Sequence, residues 1–145
     1  MSRRLLLVRH AQAGKSASWA GDDSLRPLDE RGRRQALGLV DALSRFEVER
    51  ILSSPARRCL QTVEPLAAAR GLDVEVRPEL GEELQATEGA ELATRHAGQP
   101  VVLCTHGGFQ HDLLGVAAED LRYPKGGTLV LAGDLAVEDV IPPPA

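Results

Sequence analysis

Aromatic residues are nearly missing from this chain: one Trp, one Tyr and two Phe make up 3% of its 145 residues. Stacking platforms for unpaired bases are therefore scarce, which argues against single-stranded nucleic acid as a partner. The core must instead be built from Leu, Val and Ala. A basic excess is missing too, since a formal net charge of −4 leaves no electrostatic footprint for a duplex. The two cysteines, Cys59 and Cys104, show neither C-x-x-C spacing nor a disulfide framework. Cys104 lies in an apolar run and reads as a small buried hydrophobe, and a reducing, cytoplasmic setting is the expectation. No apolar run approaches the length of a membrane span. The run after Arg3 and Arg4 is too short for a secretory signal and no cleavage site follows it. These exclusions, with 43% hydrophobic and 26% charged residues, leave the expectation of one soluble cytoplasmic domain spanning residues 1–145.

The most informative stretch is Leu5-Leu6-Leu7-Val8-Arg9-His10-Ala11-Gln12. A continuous apolar run of this length predicts a strand buried on both faces. Its C-terminal end, where open α/β sheets place their ligand crevice, carries Arg9 and His10. A polar loop with Lys15 and Trp19 follows. Asp29 then caps a helix whose apolar stripe is Ala36, Leu39, Val40 and Leu43. Val48 to Ser53 predicts a second strand. Ser54 is placed to cap the next helix with Pro55 at its first position, Pro65 to kink or interrupt it, and Gly71 to end it. A short strand at Val74 and Val76 precedes an acidic loop, residues 78–89, with Glu79, Glu82, Glu83 and Glu88. A helix over residues 87–97 leads to a second buried strand, Val101 to Thr105, which also ends on a histidine, His106. After a helix over residues 111–117, strands near 128–132 and 135–140 form a hairpin, and the tail Pro142-Pro143-Pro144 is expected to fray. This alternation predicts an α/β three-layer sandwich, a mainly parallel central sheet with helices on both faces.

Adjacent parallel strands bring their C-terminal ends to one edge, so His10 and His106 are expected to meet there. Arg9 arrives with the first, and the Ser54-capped helix brings Arg58 and its free N–H groups. Two arginine forks, two imidazoles and a helix N-terminus suit a tetrahedral dianion. A pocket of that kind performs in-line phosphoryl transfer by positioning and charge stabilisation. A neutral imidazole whose other nitrogen donates to a backbone carbonyl is a competent nucleophile, and surrounding positive charge helps to keep it neutral. Paired histidines also suit a metal, but the neighbours here are arginines, which repel cations, and further ligands are not in sight. No metal and no cofactor are expected.

Arg9-His10-Ala11 resembles the R-H-G signature of the histidine phosphatase, or phosphoglycerate mutase-like, superfamily. Ser54 to Thr62 resembles its S-x-x-x-R-A-x-Q-T motif, and Thr105-His106-Gly107-Gly108 its second histidine motif. Arg26-Pro27-Leu28 with Gly32, and the short length, resemble the SixA-type phosphohistidine phosphatase branch. The resemblance implies His10 as phosphoryl acceptor, Arg9, Arg58 and His106 as phosphate ligands, and Gln12 as a further polar phosphate contact. Ala11 stands where the family has glycine, so a positive φ is not demanded there. Cys59 stands where the motif has alanine and is expected to face the core. A family segment L-x-E maps onto Leu80-Gly81-Glu82 and implies Glu82 as general acid. Glu83 is a rival, and an acidic loop with no catalytic member a further alternative.

The substrate implied by the SixA resemblance is phosphohistidine on a protein, whose labile P–N bond depends less on a proton donor than an ester does. A small sugar- or nucleotide-type phosphomonoester handled by the same residues is the alternative. A phosphate- or phosphoprotein-binding domain without turnover is the alternative of another class. Lys15, Trp19 and the oligomeric state stay unassigned from sequence.

Overall fold

Alternating burial in the strands builds the layers. In the computed structural model, which describes residues 2–82, 86–114 and 123–145, the first strand, β1 (Leu5–Arg9), buries both its faces. Leu6 and Val8 join one apolar cluster with Leu39, Leu43, Val63 and Leu66. Leu5 and Leu7 join another with Leu92, Ala93 and Phe109. Burial of each such side chain contributes about 1.5–3 kcal/mol, so this central strand is strongly fixed.

The elements follow the order β1, α1 (Glu30–Ala42), β2 (Arg50–Ser53), α2 (Arg57–Arg70), β3 (Val74–Val76), α3 (Ala86–Arg95), β4 (Val101–Thr105), α4 (Phe109–Leu114), β5 (Thr128–Leu131) and β6 (Val137–Ile141). The six-stranded sheet has the order β3-β2-β4-β1-β5-β6. β3, β2, β4 and β1 run parallel, while β5 and β6 add an antiparallel edge. With α1 and α2 on one face and α3 and α4 on the other, this is the expected three-layer, mainly parallel α/β fold. Among the described residues no helix is long and apolar enough to cross a membrane.

Local expectations hold where chemistry is local. Asp29 caps α1 by accepting from the Gly32 N–H. Gly71 ends α2 in the left-handed region at φ 66. Ala11 has no positive φ. Three expectations fail. Ser54 does not cap α2, whose N-cap position is Ala56 with no side-chain cap. The Ser54 hydroxyl faces His106 instead. Of the kink or interruption expected at Pro65, the interruption does not occur: α2 runs on through it. The buried Val63 and Leu66 on either side hold the helix against the sheet although one backbone donor is missing. The proline tail is not frayed either: Pro144 fills the notch that Gly38 leaves on α1. The helix expected over 111–117 is described as far as Leu114, and residues 115–117 lie outside the described residues.

Candidate active site

Register decides which side chains meet. Arg9 pairs with Thr105 across β1 and β4, and Ser53 pairs with Cys104 across β2 and β4. The residues that follow, His10, His106 and Ser54, therefore leave three neighbouring parallel strands at the same edge. The ladders extend one step beyond the strands: His10 N–H donates to Thr105 O at 3.0 Å and Ser54 N–H to Cys104 O at 3.0 Å. The backbone that carries these side chains is thus fixed by sheet hydrogen bonds.

His10 and His106 lie with ring centroids 5.5 Å apart and planes inclined by 65°. His10 Nδ1 donates to its neighbour's carbonyl, Ala11 O, at 2.8 Å, which leaves Nε2 with its lone pair. The imidazole is pushed down to about 3, chiefly because burial penalises the cation and further by the charges of His106, Arg58 and Arg9; the Ala11 carbonyl opposes the shift. Burial is thus a larger cause than the surrounding positive charge. His10 is a neutral base at any ordinary pH.

Arg58, at the start of α2, has a side chain only 4% exposed. Its Nη1 donates to Asp23 O at 2.9 Å. Its Nη2 lies 3.3 Å from Asp23 Oδ2 and 2.6 Å from Glu82 Oε1. Arg9 donates through Nη1 to Tyr123 O at 2.9 Å, and burial lowers its pKa. The Nε atoms of both arginines are buried without a partner among the described residues. His106 receives the Ser54 hydroxyl at Nε2, 2.9 Å away. Its Nδ1–H is then left to donate, and it meets Glu82 Oε1 at 2.8 Å. Thr62 ties two parts of the site together, accepting from Ala11 N–H at 2.9 Å and donating to Arg58 O at 2.7 Å.

Arg9, His10, Arg58, His106 and Glu82 all line one open cleft of about 830 Å³. Gln12 does not join them. Its backbone N–H donates to Gln35 Oε1, and its side-chain amide donates to Asp29 Oδ2 at 3.1 Å, which turns it toward the α1 N-terminus. The side chain expected as a phosphate contact is thus bonded to Asp29 and does not line this cleft. Glu83 lies outside the described residues. Trp19 donates through Nε1 to Asp22 O and fastens its own loop. Cys59 is buried as expected, yet its sulfur lies 3.7 Å from His106 Nε2.

From sequence, Ser54 enters only as a cap for the helix that carries Arg58, and Asp23 and Arg26 have no role in the site. Arg26 grips Asp23 Oδ1 through Nε at 2.9 Å and also donates to the Gly14 carbonyl. Only the folded loop reveals that Asp23 reaches Arg58. Among the described residues no group of three or more His, Cys, Asp or Glu side chains is gathered as a metal site requires.

Residues 5–91 match the model of the histidine phosphatase superfamily, branch 1. The chain belongs to that superfamily. Among similar solved structures, a candidate phosphohistidine phosphatase SixA from Agrobacterium tumefaciens is 27% identical, covers 99% of each chain and superposes with a TM-score of 0.77. A second SixA-type structure, from Nakamurella multipartitia, is 26% identical over 99% of this chain and 97% of its own, with a TM-score of 0.68. Among curated proteins, the 8-oxo-(d)GTP phosphatase of Mycolicibacterium smegmatis is 35% identical over 158 residues, covering 99% of this chain but 49% of that protein. The chain spans about half the length, or less, of the curated relatives it matches. In this superfamily member, the two histidines and two arginines that the motifs point to are gathered within one cleft.

Proposed function

We propose that this protein is a metal-independent phosphatase that carries the phosphoryl group on His10, with phosphohistidine on a partner protein as its substrate. The observation that carries the reading is the state of His10: Nδ1 held by Ala11 O, Nε2 free, and the imidazolium strongly disfavoured. In the first step the Nε2 lone pair forms a bond to phosphorus as the bond to the leaving group breaks. The leaving imidazole keeps the electron pair and takes a proton from solvent. Arg9, Arg58 and His106 stabilise the charge on the equatorial oxygens. Water then attacks phospho-His10 and gives a proton back to solvent as the P–Nε2 bond breaks, so that inorganic phosphate leaves and the Nε2 lone pair is restored.

The likeness to SixA-type structures over nearly the whole chain supports a side chain on a protein as substrate, as does an open cleft. A second reading, a small phosphomonoester, is favoured by Glu82. Its carboxyl group stands at the phosphate-binding pair as a general acid for an alkoxide would have to. The curated relative named for 8-oxo-(d)GTP also supports it.

A substrate panel tests both readings. The enzyme is presented with a phosphorylated histidine carrier protein, phosphosugars, nucleotides and an aryl phosphate. Preference for the carrier supports the first reading and preference for an ester the second. Quenched enzyme is expected to hold an acid-labile, base-stable phosphate that His10→Ala abolishes. No turnover and no phosphoenzyme with any substrate would leave a phosphate-binding domain.

A further inference from the structure

One carboxylate oxygen does what a phosphate oxygen would do. Glu82 Oε1 lies 2.6 Å from Arg58 Nη2 and 2.8 Å from His106 Nδ1, so it bridges two deeply buried donors of the cleft. We propose that Glu82 is an internal occupant of the phosphate seat, displaced by substrate and returning to expel inorganic phosphate after hydrolysis. The inference rests on the phosphate-binding role given above to Arg58 and His106, and adds to it a resting state and a release step.

Burial explains why an occupant is needed. The side chains of Arg58 and His106 are 4% and 10% exposed, and donors so deeply buried cost free energy when left unpaired. Glu82 is 59% exposed, so its own carboxylate gives up little by returning to water. Its backbone is anchored at the seat: Leu80 is fully buried and its carbonyl accepts from Thr105 Oγ1 at 2.7 Å, while the Gly81 N–H donates to Pro78 O at 2.9 Å. A fixed tether with a free carboxylate makes a reversible plug.

Asp23 is not an equivalent plug. It also touches Arg58, at 3.3 Å, but Arg26 Nε holds its carboxylate at 2.9 Å, and it has no contact with His106 within hydrogen-bond distance. Glu82 also lines both of two hollows, of about 830 and 560 Å³, together with Asp23, Arg58, Gly81 and His106. Phosphate displaces Glu82 because it carries more charge and several oxygens, so that Arg9 can be engaged together with Arg58 and His106. If the plug is in place nine-tenths of the time, the apparent affinity for any phosphate falls about tenfold.

The test is binding of inorganic phosphate, and of tungstate as its analogue, to the whole chain by calorimetry. Wild type is compared with Glu82→Gln and Glu82→Ala, the second because a glutamine amide can still accept from Arg58. Both variants are expected to bind phosphate about tenfold more tightly, with product inhibition by phosphate strengthened in parallel. Glu79→Gln removes the same charge from the same cleft without touching Arg58 or His106, and its phosphate affinity is expected to stay within about twofold of wild type. Unchanged or weaker binding in both Glu82 variants overturns the proposal, and so does equal tightening in Glu79→Gln, which would mark a cleft-wide charge effect. If binding is unchanged but His10 still becomes phosphorylated, the plug falls and the phosphatase reading stands. If wild type and both Glu82 variants bind no oxyanion, both fall together.

Discussion

The guanidinium of Arg9 lies over Gly107 so closely that a Cβ on that glycine would come within 2.6 Å of both Cζ and Nη2. The second histidine motif thus holds the first arginine in place, and the glycine is needed for space. Gly107→Ala is expected to move the guanidinium rather than the backbone, because the colliding atoms are the end of a flexible side chain. A displacement of about 1 Å at a reacting centre costs ~10²-fold in rate. Steady-state kinetics with thermal melting checks this: kcat/KM should fall by that order while Tm changes little. An unchanged rate would show that the pose of Arg9 is irrelevant to turnover.

The depressed pKa of His10 links function to stability. Its ordinary value is near 6.5 and its folded value about 3. The unfolded chain therefore binds a proton that the native state refuses. Stability from this group is fully present above pH 6.5 and declines as pH falls toward 3. Over the two pH units from 6.5 to 4.5 the loss is on the order of 2–3 kcal/mol. Urea unfolding of wild type and His10→Asn across this range should show the wild type losing that much more. Parallel curves would contradict a buried neutral imidazole.

Gln12 offers the opposite test. Its amide bonds Asp29 and not the cleft. Gln12→Ala is expected to cost about 0.5–1.5 kcal/mol of stability, the worth of one hydrogen bond. Its kcat/KM should stay within roughly a factor of two of wild type. A large rise in KM with unchanged stability would restore Gln12 to the substrate.

Arg58→Ala removes a buried guanidinium proposed to bind the equatorial oxygens, and transition-state stabilisation should fall by ~3–4 kcal/mol, about 10²–10³-fold in kcat/KM. Arg58→Lys should recover only a part, because an ammonium cannot reproduce the fork.

Dialysis against EDTA is expected to leave kcat/KM unchanged. A loss restored by a divalent cation would bring back metal chemistry at the paired histidines.

Legibility followed the range of the interactions. β1 was readable because a strand buried on both faces is a run of apolar side chains. The meeting of His10 with His106 was readable because parallel neighbours end at one edge. The Asp29 cap involves residues a turn apart and could be read directly. Ser54, a small polar residue before proline, also reads as a cap, yet its hydroxyl turns to a histidine that arrives from another strand. Gln12 likewise lies two residues after His10 in the chain and is turned away by α1.

The amino-acid order alone determined the strand-ending histidines, the arginines beside them and the layered α/β plan, because hydrophobic periodicity and motif spacing are local properties. Tertiary structure decided what those groups do to one another. Burial, more than neighbouring charge, keeps His10 neutral. The approach of the Asp23 and Glu82 segments decides which oxygens Arg58 meets. Desolvation and contact across the sheet edge depend on packing in three dimensions, and no spacing along the chain encodes them one residue at a time.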